Sequence, residues 1–252
     1  MREESMSEQS SGLRADKFLL ARGYFETRAQ AQAAIKAGKV RVNGRVLKKA
    51  STLLTDQDQI HATKVHPWVS RGGIKLDYAL KTFGVDVKGL MALDVGASTG
   101  GFTDVLLERG AAKVFAVDVG HDQLHAKLQG DPRVVSMEGQ DARRLTSDML
   151  GVSPDIIVCD ASFISATKVL DKALDIAPRG AKLITLVKPQ FEVGPEGIGR
   201  GGIVKSQRLS DRALSDVSAW VSTKGWQVEK TDKSPIKGGS GNHEFLLYAV
   251  KL

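Results

Sequence analysis

The sequence predicts an α/β protein: a mostly parallel sheet covered on both faces, preceded by a small α+β module. Three observations predict it. From Met91 onward, short apolar runs alternate with helical segments, the pattern of parallel strands joined by crossover helices. One such run, residues 91–95, leads straight into a glycine-rich turn, Gly96-Ala97-Ser98-Thr99-Gly100-Gly101, that opens a helix. The positive charge is also concentrated: of a net +7 over 252 residues, +6 falls in residues 1–50, which hold 11 Lys and Arg against 5 Asp and Glu. At 42% hydrophobic, the chain can bury one large core and a small one.

Residues 1–12, with four Ser, three Glu and no apolar periodicity, read as a disordered tail. The apolar residues Leu13, Ala15, Phe18, Leu19 and Leu20 then share one helical face, and Gly23 can end that helix. Thr27 stands at an N-cap ahead of a second helix over 29–36, with Gly38 as its stop. Residues 39–47 alternate apolar and basic side chains around Asn43-Gly44, a hairpin signal. Residues 61–73 lack periodicity and read as a linker in which Trp68 can dock on either neighbour. A helix follows over 75–83. Strands are expected at 91–95, 113–117, 133–137, 156–160, 182–187, 226–231 and 244–250; the last two follow a helix over 206–224 and form an antiparallel pair.

Ligands of such sheets bind outside the carboxyl ends of the strands, which brings Gly96, Asp118, Asp141, Asp160 and Lys188 around one crevice. The turn there lacks the Gly-Lys-Ser/Thr ending of a P-loop, and its glycines at 96, 100 and 101 miss the dinucleotide spacing. What it keeps is Asp94 two residues before the first glycine and Asp118 at the end of the next strand, where a carboxylate can accept from both hydroxyls of a ribose. This pattern resembles the S-adenosylmethionine site of the Rossmann-like, seven-stranded methyltransferases. The resemblance implies cofactor contacts from Asp94, Gly96, Ala97, Ser98, Gly101, Phe102, Asp118, Val119, Asp141, Ala142 and Asp160. Asp141 also has a plainer reading, as a helix cap.

The basic N-terminal module, residues 13–60, resembles the alpha-L RNA-binding motif first seen in a ribosomal protein. The match rests on Arg14 and Asp16, Thr27-Arg28, Gly38-Lys39-Val40 and Val42-Asn43-Gly44. Arg14, Arg28, Lys36, Lys39, Arg41, Arg45, Lys48 and Lys49 are the candidate RNA-binding cations. Such a surface reads RNA through backbone and shape, because the A-form major groove is too narrow for side chains.

The strand ending Val158-Cys159-Asp160-Ala161-Ser162-Phe163 lacks the prolines that clamp a flipped base in enzymes methylating exocyclic amines. Cys159, preceding Asp160 in an alternating strand, points away from the crevice and reads as a core residue rather than a nucleophile. Lys188 closes the next strand, in Lys188-Pro189-Gln190-Phe191-Glu192. With Lys75 upstream and Glu244 before the last strand, the set Lys75, Asp160, Lys188 and Glu244 resembles, in order and place, the catalytic tetrad of FtsJ-like RNA ribose 2'-O-methyltransferases. The resemblance implies that Lys188 acts on the ribose hydroxyl as base or as charged donor, that Asp160 steers it, and that Lys75 and Glu244 hold the surroundings. His121 and His125 lack a third ligand, so no metal site is expected. The five glycines between Glu192 and Gly202 suggest a mobile segment that closes over substrate.

The order of alpha-L module, linker and FtsJ-like domain over 74–252 resembles the TlyA family of rRNA methyltransferases. Further matches are Ser70-Arg71-Gly72-Gly73, Lys75-Leu76 and Gly100-Gly101-Phe102-Thr103. That resemblance implies 2'-O-methylation of cytidine in ribosomal RNA within assembled subunits, by a monomer. A single cysteine excludes an intramolecular disulfide framework, and no signal-peptide core or long apolar run is present, so a cytoplasmic location without membrane contact is expected. Two other readings are a membrane-active protein, since this family also carries the hemolysin label, and an inactive RNA-binding assembly factor.

Overall fold

A computed structural model describes residues 12–252, in two compact units divided between Pro67 and Trp68. The tail expected at 1–12 lies, but for Gly12, outside the described residues.

The first unit opens with β1 (Leu13–Arg14), α1 (Ala15–Ala21) and α2 (Arg28–Lys36). Thr27 caps α2, its hydroxyl accepting from Gln30 N at 3.2 Å. Strands β2 (Val40–Val42), β3 (Arg45–Val46), β4 (Leu53–Leu54) and β5 (Ile60–Ala62) follow. β2 and β3 turn at Asn43-Gly44, whose φ values of 49° and 78° are those a tight hairpin requires. Two features differ from the sequence reading. Leu13 and Arg14 do not start the helix; they pair antiparallel with Leu53 and Leu54, a partner some forty residues away that local periodicity cannot reveal. Accordingly Ala15, Phe18 and Leu19 are buried while Leu13 and Leu20 are exposed. The hairpin also gains a third strand, β5, on the far edge of β2. So the stretch 61–73 is not linker throughout: His61 and Ala62 belong to β5, and Gly72 and Gly73 to the next helix.

The second unit contains α3 (Gly72–Phe83), β6 (Met91–Val95), α4 (Gly101–Glu108), β7 (Lys113–Asp118), α5 (Ala126–Gln129), β8 (Val134–Glu138), α6 (Ser147–Leu150) and β9 (Ile156–Cys159). It continues with α7 (Ala166–Val169), α8 (Asp171–Ile176), β10 (Lys182–Val187), α9 (Pro189–Glu192), α10 (Gln207–Thr223), β11 (Trp226–Lys233) and β12 (Phe245–Lys251). The seven strands form one sheet in the order β11-β12-β10-β9-β6-β7-β8. The five from β8 to β10 run parallel, and β12 lies antiparallel between β10 and β11. Alternation along the strands serves two cores. Leu93 and Val95 pack into the layer that holds Cys159 and Trp226, while Ala92 and Val158 pack into the layer under α3 and α4. Trp68 docks within this second unit. It lies so close over Gly73 that a Cβ there would collide with the indole, which explains a glycine inside α3. The parallel strands therefore deliver the ends of β6, β7, β9 and β10 to one edge, where the polar residues gather.

Candidate active site

At that edge the turn after β6 abuts the turn after β9. Gly96 has φ 77°, and a Cβ on it would stand 2.9 Å from the Ala161 Cα, so glycine is required both by the backbone and by the approach. Two adjoining cavities, of about 610 and 650 Å³, open here. They share Gly96, Ser98, Asp160, Ser162 and Phe163.

The first cavity holds all four residues of the expected tetrad, with Ala97, Gly101 and Phe102. Lys75 comes from α3, Asp160 from the residue after β9, Lys188 from the residue after β10, and Glu244 from the residue before β12. Lys188, Lys75 and Glu244 are all buried. The Lys188 ammonium lies 2.6 Å from Asp160 Oδ1 and donates to the Asp160 carbonyl at 3.0 Å and to Ser162 Oγ at 2.7 Å. The Lys75 ammonium donates to both Asp160 carboxylate oxygens at 3.5 and 3.4 Å. It also stands 2.7 Å from Glu244 Oε2, an ion pair without hydrogen-bond alignment. Two cations and two carboxylates thus balance in a buried cluster, with Asp160 shared between both lysines.

The second cavity is lined by Asp118, Val119, Asp141 and Ala142. Asp118 accepts from Ser98 N through Oδ2 and from Gly120 N through Oδ1, each at 2.8 Å. Each oxygen, having accepted one such bond, retains the capacity to accept another. Asp141 does what its plainer reading says: it accepts from Arg143 N at 2.9 Å and pairs with the Arg143 guanidinium, which holds its carboxyl below the usual range. Two cavities meet at Asp160, one lined by the Asp118 carboxylate and one by the four charged residues, and these are the residues that would hold a nucleoside cofactor.

Asp94 is the one cofactor candidate that lines neither cavity. It is fully buried beneath the glycine turn and accepts from Thr103 Oγ1 at 2.7 Å, while its Oδ1 is unpartnered. Burial, with the Asp160 and Asp118 charges adding to it, pushes its carboxyl up to about 7. Asp94 therefore supports the turn from below.

Sequence reasoning passed over Ser162 and Phe163 as mere ends of a strand. Ser162 is a partner of Lys188, and Phe163 is 92% exposed at φ 65° with its ring 5.3 Å from that of Phe191. A large aromatic held in solvent at the mouth of both cavities was visible in the sequence only as a residue type. Cys159 is buried in the core and its thiol pushed up to about 12 by burial, so it is no nucleophile. The segment after Glu192 is hydrogen-bonded to its surroundings. The Glu192 carboxylate accepts from Ser165 Oγ and Ala166 N, Lys205 N donates to Gly197 O at 3.0 Å, and Asn242 bonds to Gly202 and Val204. Among the described residues no cluster of His, Cys, Asp and Glu is arranged to hold a metal ion, and no helix is long and apolar enough to cross a membrane.

In the first unit all eight candidate RNA-binding cations are exposed. Arg14 and Arg28 both bind Asp16, which is fully buried and also accepts from Gln32 at 2.7 Å. These partners, the Arg14 guanidinium foremost, hold the Asp16 carboxyl well below the usual carboxylate range.

Residues 68–251 match the FtsJ-like methyltransferase family, and residues 13–60 match the S4 domain. The chain is 44% identical over 237 residues to the 16S/23S rRNA (cytidine-2'-O)-methyltransferase TlyA of Mycobacterium tuberculosis, covering 93% of this chain and 88% of that one. It is 39% identical to Hemolysin A of Brachyspira hyodysenteriae, covering 94% of this chain and all of that one. A solved structure from Streptococcus thermophilus that also carries a hemolysin name superposes with a TM-score of 0.75 at 40% identity, over 96% of this chain and 89% of that one. The seven-stranded sheet, the tetrad at its edge and these matches together identify the chain as a TlyA-type member of the FtsJ-like methyltransferase family with an N-terminal S4 domain.

Proposed function

We propose that this chain transfers a methyl group from S-adenosylmethionine to the 2'-hydroxyl of a cytidine in ribosomal RNA, acting as a monomer on assembled subunits in the cytoplasm. The observation that carries the reading is the Lys75, Asp160, Lys188 and Glu244 cluster at the junction of two cavities, one of which offers Asp118 to a ribose. When bound, the cofactor supplies an electrophilic methyl on a sulfonium. Gly96, Ala97, Ser98, Gly101, Phe102, Asp118, Val119, Asp141, Ala142 and Asp160 form its bed, with Asp94 fixing the turn from beneath. A ribose hydroxyl is a weak nucleophile, so it must be held in line with the methyl and stripped of its proton as it attacks. Lys188 engages that hydroxyl, either taking its proton as a free amine or holding its oxygen as the ammonium while the proton leaves to solvent. Asp160 fixes the Lys188 ammonium by two atoms, its carboxylate and its carbonyl. Lys75 and Glu244 complete the charge balance around it. The exposed cations of the N-terminal unit, ordered in part by Asp16, bind the phosphate backbone.

The name of the Mycobacterium tuberculosis relative supports cytidine in ribosomal RNA as the substrate. The deciding experiment is transfer of labelled methyl to isolated ribosomal subunits and to free ribosomal RNA by the wild type and by Lys188→Ala. Labelling of a cytidine 2'-O by the wild type, and its loss in a variant that still binds the cofactor, upholds the reading. No labelling of any RNA by the wild type, or equal labelling by the variant, overturns it.

A further inference from the structure

Two loops, residues 198–205 and 236–243, build one wall of the first cavity through Ile198, Gly202, Gly239 and Ser240. Arg200 and Lys237 are exposed on these loops and have no acidic partner among the described residues. Arg71, also exposed, donates from Nη2 to the Lys237 carbonyl at 2.7 Å, which joins its guanidinium to the same wall.

The loops are held together by one buried side chain. Asn242 donates from Nδ2 to Gly202 O at 2.8 Å and to Ser240 Oγ at 3.2 Å, and its Oδ1 accepts from Val204 N at 2.9 Å. Its own carbonyl accepts from Gly238 N at 3.0 Å. The wall rests directly on the tetrad, since a Cβ at Gly238 would collide with Glu244 Oε1. Its cations therefore stand within two residues of Ser70, Gly72, Gly202 and Gly239, which line the cavity of that cluster. Like charges at a cleft mouth raise the local concentration of polyanion. A polynucleotide whose ribose enters this cavity must carry the phosphates on either side of that ribose across its rim.

We propose that the two loops stapled by Asn242 form a phosphodiester clamp of the catalytic unit, in which Arg200, Lys237 and Arg71 hold the RNA backbone flanking the reacting ribose. The proposal rests on the ribose-methylation reading and adds to it a second RNA contact, apart from the basic N-terminal unit.

The test uses the full chain with Arg200→Ala/Lys237→Ala, the charge-keeping pair Arg200→Lys/Lys237→Arg, and the control Lys88→Ala/Arg179→Ala, whose exposed cations stand at the amino ends of the strands. Two readouts are taken: KM and kcat for labelled methyl transfer to ribosomal subunits, and the salt dependence of binding to a labelled single-stranded RNA oligonucleotide. For the alanine pair the slope of log affinity against log salt falls by roughly 1.4, two contacts at about 0.7 each. KM for subunits rises about tenfold, the effect sits in KM rather than kcat, and cofactor affinity by calorimetry is unchanged. The charge-keeping pair retains the wild-type slope. An unchanged slope and KM in the alanine pair, or an equal change in the control, overturns the clamp. If the wild type methylates no RNA, the ribose reading fails, while the oligonucleotide slope still decides whether the clamp exists.

Discussion

The Lys75 ammonium lies 2.7 Å from Glu244 and 3.4 Å from Asp160, so a single cation bridges two carboxylates that reach the site from distant parts of the chain. Glu244 is buried, and without Lys75 its charge would lose its cation partner. Lys75→Ala is expected to cost about 3 kcal/mol or more, the scale for stripping one partner from a buried pair. The double variant Lys75→Ala/Glu244→Gln should recover most of that stability and none of the activity. Thermal unfolding and methyl-transfer assays on the three proteins check this; a single variant as stable as the wild type would show that the bridge contributes nothing.

Lys188 carries the strongest expectation for chemistry. Lys188→Ala should lower kcat about a thousandfold, the range for loss of a group that engages the reacting hydroxyl in the transition state. Cofactor affinity by calorimetry should stay within a few-fold, because Lys188 lines the first cavity and not the cavity of Asp118. A drop in cofactor affinity as large as the drop in rate would reassign Lys188 to binding.

Asp118 is the matching test for the other cavity. With Asp118 bonding the ribose hydroxyls as proposed, removing its carboxylate should weaken cofactor binding by about 2 kcal/mol, roughly thirtyfold. Asp118→Ala also frees Ser98 N and Gly120 N, so Asp118→Asn, which keeps an acceptor, should fall between the alanine variant and the wild type. RNA affinity should not follow this order.

Asp94 makes stability depend on pH in a stated direction. Its carboxyl titrates near 7 when folded and near 3.8 in the open chain, so between these values the folded protein holds a proton that the unfolded one has lost. Stability from this group is therefore present at low pH and is lost as pH rises through about 7. Chemical denaturation at pH 5, 6 and 7 should show the wild type losing stability relative to Asp94→Asn, with an excess slope of up to about 1.4 kcal/mol per pH unit. Parallel profiles for the two proteins would mean that Asp94 stays ionised in the fold.

The carboxyl-end crevice could be read from sequence because its residues sit at strand ends, and strand ends follow from short apolar runs punctuated by glycine and aspartate. Gly96, Asp118, Asp160 and Lys188 are each within a residue or two of such a boundary. What escaped reading depends on pairing across long separations. The β1–β4 pairing of Leu13 with Leu54 and the β5 edge have two or three residues per strand, too few to show alternation. The contact between Lys188 and Ser162, the exposure of Phe163 and the Asn242 staple arise from loop conformations, which carry no periodic signal. Asp94 was legible as part of a motif, yet its place beneath the turn depends on the hydroxyl of Thr103, one helical turn into α4.

Cys159 is the only cysteine of the chain, buried and with its thiol held up to about 12, so at neutral pH it offers almost no thiolate to an alkylating reagent. The native protein is thereby chemically silent toward maleimide dyes. A cysteine introduced on the exposed surface of either unit becomes its single labelling position, and one on each unit makes a donor–acceptor pair. The separation of the S4 domain from the catalytic unit, and its change when RNA or cofactor is added, can then be followed by fluorescence in a protein whose core needs no alteration.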